Sequence, residues 1–178
     1  MEIYEVLKKD HEEIKEFLNE LVALDADDEY RFVLIQEISN ALIPHSRAEE
    51  SVFYNTLRAV NADKGVVFHG YQEHMEAESL LRTLQVMDKV NMEWKPIAKK
   101  LQQALEHHVE EEETDIFEEA YNAFSQEEAE VMAEAFERLK SEVEKEGPLK
   151  TTMDMVVNMM PPRIADKIRN FADKGLNS

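Results

Sequence analysis

A pattern of histidines and glutamates recurs 63 residues along this 178-residue chain, and it constrains the fold more than any other feature. The residues that repeat are His11, His45 and Glu49 in the first copy, and His74, His108 and Glu112 in the second. Apolar neighbours follow the same offset, such as Leu42 and Leu105. A duplication of this kind predicts two copies of one helical hairpin, which together make a four-helix bundle.

Apolar residues at helical spacing indicate four long helices. We expect them over about 3–24, 29–59, 66–89 and 93–123. Pro44 falls inside the second helix and is a candidate kink. Only 4 glycines and 5 prolines occur in the chain, so few turns are indicated. The sequence therefore predicts an all-α protein built on an antiparallel four-helix bundle.

The last part of the chain predicts helical additions to this bundle. Ser125 and Glu128 form a capping box that starts a fifth helix over about 126–145. Helical spacing continues beyond it and is interrupted at Pro161 and Pro162. We expect a bundle domain over 1–124 and a C-terminal extension packed on it over 125–178.

A methionine-rich stretch lies in the extension. It comprises Met153, Met155, Met159 and Met160. We interpret it as packing against the bundle, with a soft contact surface or a copper site as the alternatives.

Charge and composition exclude several classes of protein. The chain has 20 basic and 39 acidic residues, a formal net charge of −19, which argues against binding to nucleic acid or anionic lipid. No uncharged run approaches the roughly 18 residues of a membrane span. The acidic N-terminus lacks the apolar stretch of a signal peptide, so we expect a cytoplasmic protein. The absence of cysteine means that any metal must be held by nitrogen and oxygen ligands.

Each of the four long helices carries one histidine in its apolar stripe, the row of residues that faces the core. Glu49 and Glu112 follow a histidine by four residues and share its face. The other two histidines, His69 and His107, have polar neighbours and are interpreted as surface residues.

A single core histidine is most often simply hydrogen-bonded, but burying carboxylates without a partner costs several kcal/mol. No lysine or arginine lies in these stripes to balance them. Two divalent cations would do so, and a site rich in imidazole suits Fe, Zn, Cu or Ni. The sequence thus predicts a dinuclear metal site. Its expected ligands are His11, His45, Glu49, His74, His108 and Glu112.

These residues resemble the hemerythrin-like, HHE cation-binding family over roughly residues 3–120. The segments that carry the resemblance are 10–14, 45–49, His74 and 108–112. The resemblance implies a non-haem di-iron centre, with two iron ions joined by oxo, hydroxo or carboxylate bridges. It also implies that each hairpin's histidines serve mainly one iron and that Glu49 and Glu112 bridge or cap the pair; zinc is the alternative metal.

The chain departs from the oxygen-carrying members of that family in two places. They have a further histidine where this chain has Glu78, and a five-residue step from histidine to aspartate where this chain has a four-residue step to Glu112. The arrangement is similar to bacterial and regulatory members associated with oxygen or peroxide response. Glu78, Tyr71 and Glu113 are candidates for an additional ligand or for contacts to the ligands, and solvated or packing roles are the alternatives for each.

We therefore expect a non-haem di-iron protein that binds or reacts with O2, peroxide or NO, in sensing, storage or protection against oxidative stress. The alternatives are a di-iron peroxidase or oxygenase, and a helical interaction module that holds zinc or no metal. Enzymatic character is left open by the sequence. We expect no nucleic-acid or membrane partner, and either a monomer or a homodimer.

Overall fold

A computed structural model of the protein describes residues 1–60, 64–90, 93–146 and 157–175, and these residues contain helices but no strand. The helices are α1 (Ile3–Ala23), α2 (Arg31–Glu49), α3 (Asn55–Ala59), α4 (Lys64–Val90), α5 (Lys95–Glu111), α6 (Phe117–Ala123), α7 (Gln126–Glu146) and α8 (Pro162–Gly175). Among the residues described, no helix is both long enough and apolar enough to cross a bilayer. The predicted all-α class is confirmed.

Helices α1, α2, α4 and α5 form a closed four-helix arrangement in which each helix packs against two of the others. The indole of Trp94 donates a hydrogen bond to the carbonyl of Ala26 at 2.8 Å, and Lys95 donates to the carbonyl of Leu24. These bonds place the start of α5 beside the end of α1, so these two neighbours run in opposite directions. The antiparallel bundle expected from the repeat is confirmed.

The core of the protein is divided into two apolar clusters. One surrounds Leu18 and Leu81, at the end of the bundle that holds the connection between α1 and α2. The other surrounds Phe53, Phe117 and Phe136, where α3, α6 and α7 meet. Between them lies a polar layer of buried histidines and glutamates, which come from the middle of α1 and α4 and from the last turns of α2 and α5 and the π-helical turn after α5.

Two five-residue π-helical segments interrupt the long helices. Glu50–Tyr54 joins α2 to α3, and Glu112–Ile116 joins α5 to α6. Both begin within one residue of an expected glutamate ligand, and such wide turns are frequent at functional sites. Pro44 lies inside α2, and the helical hydrogen-bonding pattern changes only beyond it.

Helix α7 packs against α1 and α2, whereas α8 packs against α3. The capping box is confirmed, because Ser125 N donates to Glu128 at 2.9 Å and Glu128 N donates to the Ser125 hydroxyl at 3.3 Å. Arg163 of α8 donates to both Glu128 carboxylate oxygens at 2.5 and 2.6 Å. Met160 is buried against α3. Met153 and Met155 lie outside the described residues.

Candidate metal centre

All six expected ligands lie in the polar layer and are almost completely excluded from solvent. Their relative exposures are His11 2%, His45 2%, His74 3%, His108 3%, Glu49 0% and Glu112 0%. Apolar stripes at helical spacing bring them inward from four different helices. Six side chains that are costly to bury therefore share one site.

The carboxylate of Glu49 contacts one histidine of each hairpin. Its Oε2 lies 3.6 Å from Nε2 of His45, one turn before it on the same helix, and 3.2 Å from Nε2 of His74 on α4. Neither contact is a hydrogen bond, since both oxygens of Glu49 lack a hydrogen-bond partner.

Glu112 reproduces this arrangement in the second copy of the repeat. Its Oε2 lies 3.6 Å from Nε2 of His108 and 3.3 Å from Nε2 of His11. Both of its oxygens also lack a hydrogen-bond partner, as does Nε2 of His11. The two glutamates thus face all four imidazoles from opposite hairpins.

The outer nitrogen of each imidazole is held by another carboxylate. Glu113 lies 3.0 Å from Nδ1 of His11, and Glu50 lies 3.0 Å from Nδ1 of His74. Each of these acids is the residue directly after an expected glutamate ligand. Consecutive glutamates on one helix therefore contact the two nitrogens of the same imidazole on another helix.

The remaining two histidines are held by the residue that precedes a ligand histidine. Asp10 lies 3.1 Å from Nδ1 of His45, and Glu73 lies 3.0 Å from Nδ1 of His108. Lys140 of α7 donates to the same Asp10 oxygen at 2.7 Å. A carboxylate only accepts hydrogen bonds, so all four Nδ1 atoms are donors, and the Nε2 of each neutral ring presents its lone pair to the layer.

This arrangement fits bound metal. With Nδ1 protonated on both rings, the Nε2 atoms of His74 and His108 face each other as lone pairs only 3.0 Å apart. A cation between them would turn this repulsion into coordination. Ligand atoms gather within 4.8 Å of one another in two groups, His11 with His45 and Glu49, and Glu49 with His74 and His108. Carboxylates on the outer nitrogens are the usual support for metal-binding imidazoles.

Comparison with known proteins places this site in a family. The model of the hemerythrin HHE cation-binding domain matches residues 2–120, about two thirds of the chain. The chain belongs to the hemerythrin HHE cation-binding family. A solved HHE cation-binding domain-containing protein from Mycobacterium kansasii is 23% identical, has a TM-score of 0.68, and is matched over 88% of this chain and 98% of that one. That likeness adds a second indication of the same fold.

A curated relative of this HHE protein carries a different name. It is a DNA nickase from Nostoc sp. (strain PCC 7120), 27% identical over 144 residues. The match covers 81% of this chain but 40% of the relative, so this chain spans about two fifths of that protein's length.

Burial and neighbouring charges set the protonation of the HHE site. Burial lowers the pKa of His45 to about 4 and also lowers that of His74, so both imidazoles are neutral at physiological pH. Burial acts in the same direction on His11, but the nearby carboxylates of Glu112 and Glu113 outweigh it and raise its pKa to about 9. Burial raises the pKa of Glu49 well above its usual range. In the metal-free protein His11 is therefore protonated at physiological pH and carries a positive charge beside Glu112 and Glu113.

Tyr54 belongs to this layer, although its spacing in the sequence gave no indication of it. Its ring stacks on His74 with centroids 5.5 Å apart, and its buried hydroxyl has no hydrogen-bond partner. Gly70 makes this possible, because a Cβ there would lie 2.7 Å from the tyrosine oxygen.

The three additional candidates have different surroundings. Glu113 is the one that contacts a ligand, through Nδ1 of His11. Tyr71 donates to the carbonyl of Glu50 at 3.3 Å and to Asn55 at 3.0 Å, and so steadies the π-helical segment. Both oxygens of Glu78 are occupied by arginines, Arg47 and Arg82, each at 2.5 Å.

Proposed function

We propose that this HHE-family protein holds two iron ions in the polar layer and uses them to bind or react with O2, peroxide or NO. The role would be sensing, storage or protection against oxidative stress. One observation carries the proposal: the four buried oxygens of Glu49 and Glu112 have no hydrogen-bond partner and face imidazole nitrogens. Without cations, this arrangement leaves two buried carboxyl groups with no hydrogen-bond partner, which costs free energy in either protonation state.

The contacts suggest how the ligands are shared. His11 and His45 would hold one ion, and His74 and His108 the other. Glu49 and Glu112 would bridge the two ions, since each contacts one histidine from each pair. When bound, iron supplies redox chemistry and coordination positions for a small ligand. The chain's own contribution is to hold four imidazoles in one tautomer and to keep bulk water out.

The space beside the histidines limits the size of the ligand. A cavity of about 10 Å³ is lined by the histidines and by apolar side chains, among them Ile14, Leu42 and Leu105. This is room for about one water-sized molecule. O2, peroxide and NO are the oxidants nearest to this size, whereas an organic substrate far exceeds it. The cavity therefore favours a small oxidant over an oxygenase with a bulky substrate.

The experiment is to load the protein with ferrous iron without air, measure iron per chain, and record optical spectra before and after exposure to air and to peroxide. We expect two irons per chain and a visible charge-transfer band after exposure. His45→Ala with His108→Ala should lose both, and the exposed pair Gln72→Ala with Glu110→Ala should keep both. Fewer than one iron per chain with ample iron would refute the proposal.

Two alternatives give different results in the same experiment. A zinc-holding module would retain zinc in preference to iron and would develop no band in air. A peroxidase would consume peroxide faster than the same concentration of free iron. DNA nicking is not proposed for this chain, because its formal net charge of −19 repels a phosphate backbone.

A further inference from the structure

A second cluster of histidines and glutamates lies on the surface between α4 and α5. It consists of His69 and Glu73 on α4, and His107 and Glu111 on α5. On each helix the glutamate follows the histidine by four residues, so both side chains project from one face. His69 and His107 have side-chain exposures of 51% and 61%, as expected for surface histidines. The structure brings these two residues, 38 positions apart in sequence, to the same place.

The distances within this outer cluster are those of ligands around an ion. His69 Nε2 lies 3.6 Å from Glu73 and 3.4 Å from Glu111. His107 Nε2 lies 3.8 Å from Glu73 and 3.2 Å from Glu111. Charged hydrogen bonds between such groups measure about 2.7–2.9 Å. Four ligands around one tetrahedral Zn²⁺ stand about 3.3–3.6 Å apart, given bonds of about 2.0–2.2 Å.

Glu73 supplies a separate indication that a ligand belongs here. Its side chain is only 10% exposed, and its Oε1, which faces both histidines of the outer cluster, is buried without a hydrogen-bond partner. Its other oxygen accepts a hydrogen bond from Nδ1 of His108. One oxygen of the carboxylate is therefore held by the core histidine His108, and the oxygen that faces the outer cluster has no hydrogen-bond partner.

We propose that His69, Glu73, His107 and Glu111 form a third cation site, open to solvent, for a divalent first-row metal such as Zn²⁺. Two imidazoles and two carboxylates are a ligand set suited to Zn²⁺, whereas Mg²⁺ and Ca²⁺ prefer oxygen alone. A cavity of about 250 Å³ beside Glu73 gives access, and Asp115 on its wall adds further negative charge. The Glu73 carboxylate would then bind the ion through one oxygen and accept the hydrogen bond that orients His108 with the other.

The test is calorimetric titration of the full chain with Zn²⁺, compared with His69→Ala/His107→Ala. We expect the wild-type protein to bind one more equivalent of Zn²⁺ than the double variant, and Mg²⁺ to give no such difference. The matched control is Gln72→Ala/Glu110→Ala, which changes two exposed residues on the same helices and should bind like the wild type. Thermal unfolding of each apo variant checks that the fold is kept.

The difference in bound Zn²⁺ between the wild-type protein and the double variant measures the outer site alone, because both proteins keep the inner ligands. Equal Zn²⁺ stoichiometry in the wild-type protein and the double variant would overturn this proposal and leave the di-iron proposal untouched. If the double variant bound one equivalent less but the wild-type protein failed to take up iron, the outer site would stand and the di-iron proposal would fail. An equal effect with Mg²⁺ would reduce the outer cluster to a nonspecific acidic surface.

Discussion

Replacing Glu49 by glutamine should change stability in opposite directions in the metal-free and metal-loaded protein. In the metal-free protein, both Glu49 oxygens are buried, have no hydrogen-bond partner and face the lone pairs of His45 and His74. A glutamine amide adds a donor 3.2 Å from the nearer nitrogen and removes the charge. An unsatisfied buried polar group costs about 1–3 kcal/mol, so Glu49→Gln should stabilise the metal-free protein by about that amount at a pH above the raised pKa of Glu49, where the carboxylate is ionised.

The loaded protein should respond in the other direction. A metal present at 100 times its dissociation constant stabilises the native state by about 2.7 kcal/mol for each site. Glu49→Gln removes a ligand that we propose both ions share, so most of that stabilisation should be lost. The variant would therefore be more stable than the wild type without metal and less stable with it.

Urea unfolding followed by circular dichroism, with and without metal, measures both effects. Glu106→Gln is the control, because Glu106 is exposed on α5 and its replacement should change stability by less than about 0.5 kcal/mol in either state. If Glu49→Gln lowered the stability of chelator-treated protein, the buried carboxylate would not be the uncompensated group that the geometry indicates.

Three further substitutions probe the supports of the site. Glu113→Ala leaves Nδ1 of His11 without its carboxylate and should weaken metal binding about 10–100-fold in chelator competition; unchanged affinity would contradict its orienting role. Gly70→Ala forces a Cβ against Tyr54 and should cost about 1–3 kcal/mol in urea unfolding; unchanged stability would contradict the close contact between the glycine and the ring. Phe136→Ala should cost about 3–5 kcal/mol, because this fully buried α7 ring packs 5.7 Å from His45; a small effect would mean that α7 is dispensable to the bundle.

Much of the fold was predictable because the buried residues recur at regular intervals in the sequence. The stripe through Leu7, His11 and Ile14 repeats at helical spacing, and all three residues are buried. The 63-residue repeat also extends to the carboxylates around the ligands, since Asp10 corresponds to Glu73 and Glu50 to Glu113. That correspondence could have identified all four carboxylates that hold the outer imidazole nitrogens.

Other features depend on packing that has no local signal. Lys140 reaches Asp10 across 130 positions, so α7 takes part in orienting His45. The π-helical segments begin at residues whose propensities are ordinary for an α-helix, and the wide turn is a property of the packed bundle. The meeting of His69 with His107 likewise depends on how α4 lies against α5. The division at residue 124 stays a prediction.

The exchange of carboxylates between the two hairpins has a consequence for assembly. His11 is gripped by Glu112 and Glu113 from the second hairpin, and His74 by Glu49 and Glu50 from the first. Neither hairpin can orient its own first histidine. The ligand set is therefore incomplete until the two hairpins pack against each other. Metal binding couples to folding in such cases. Tight metal binding therefore indicates that the two hairpins have packed against each other in the correct register.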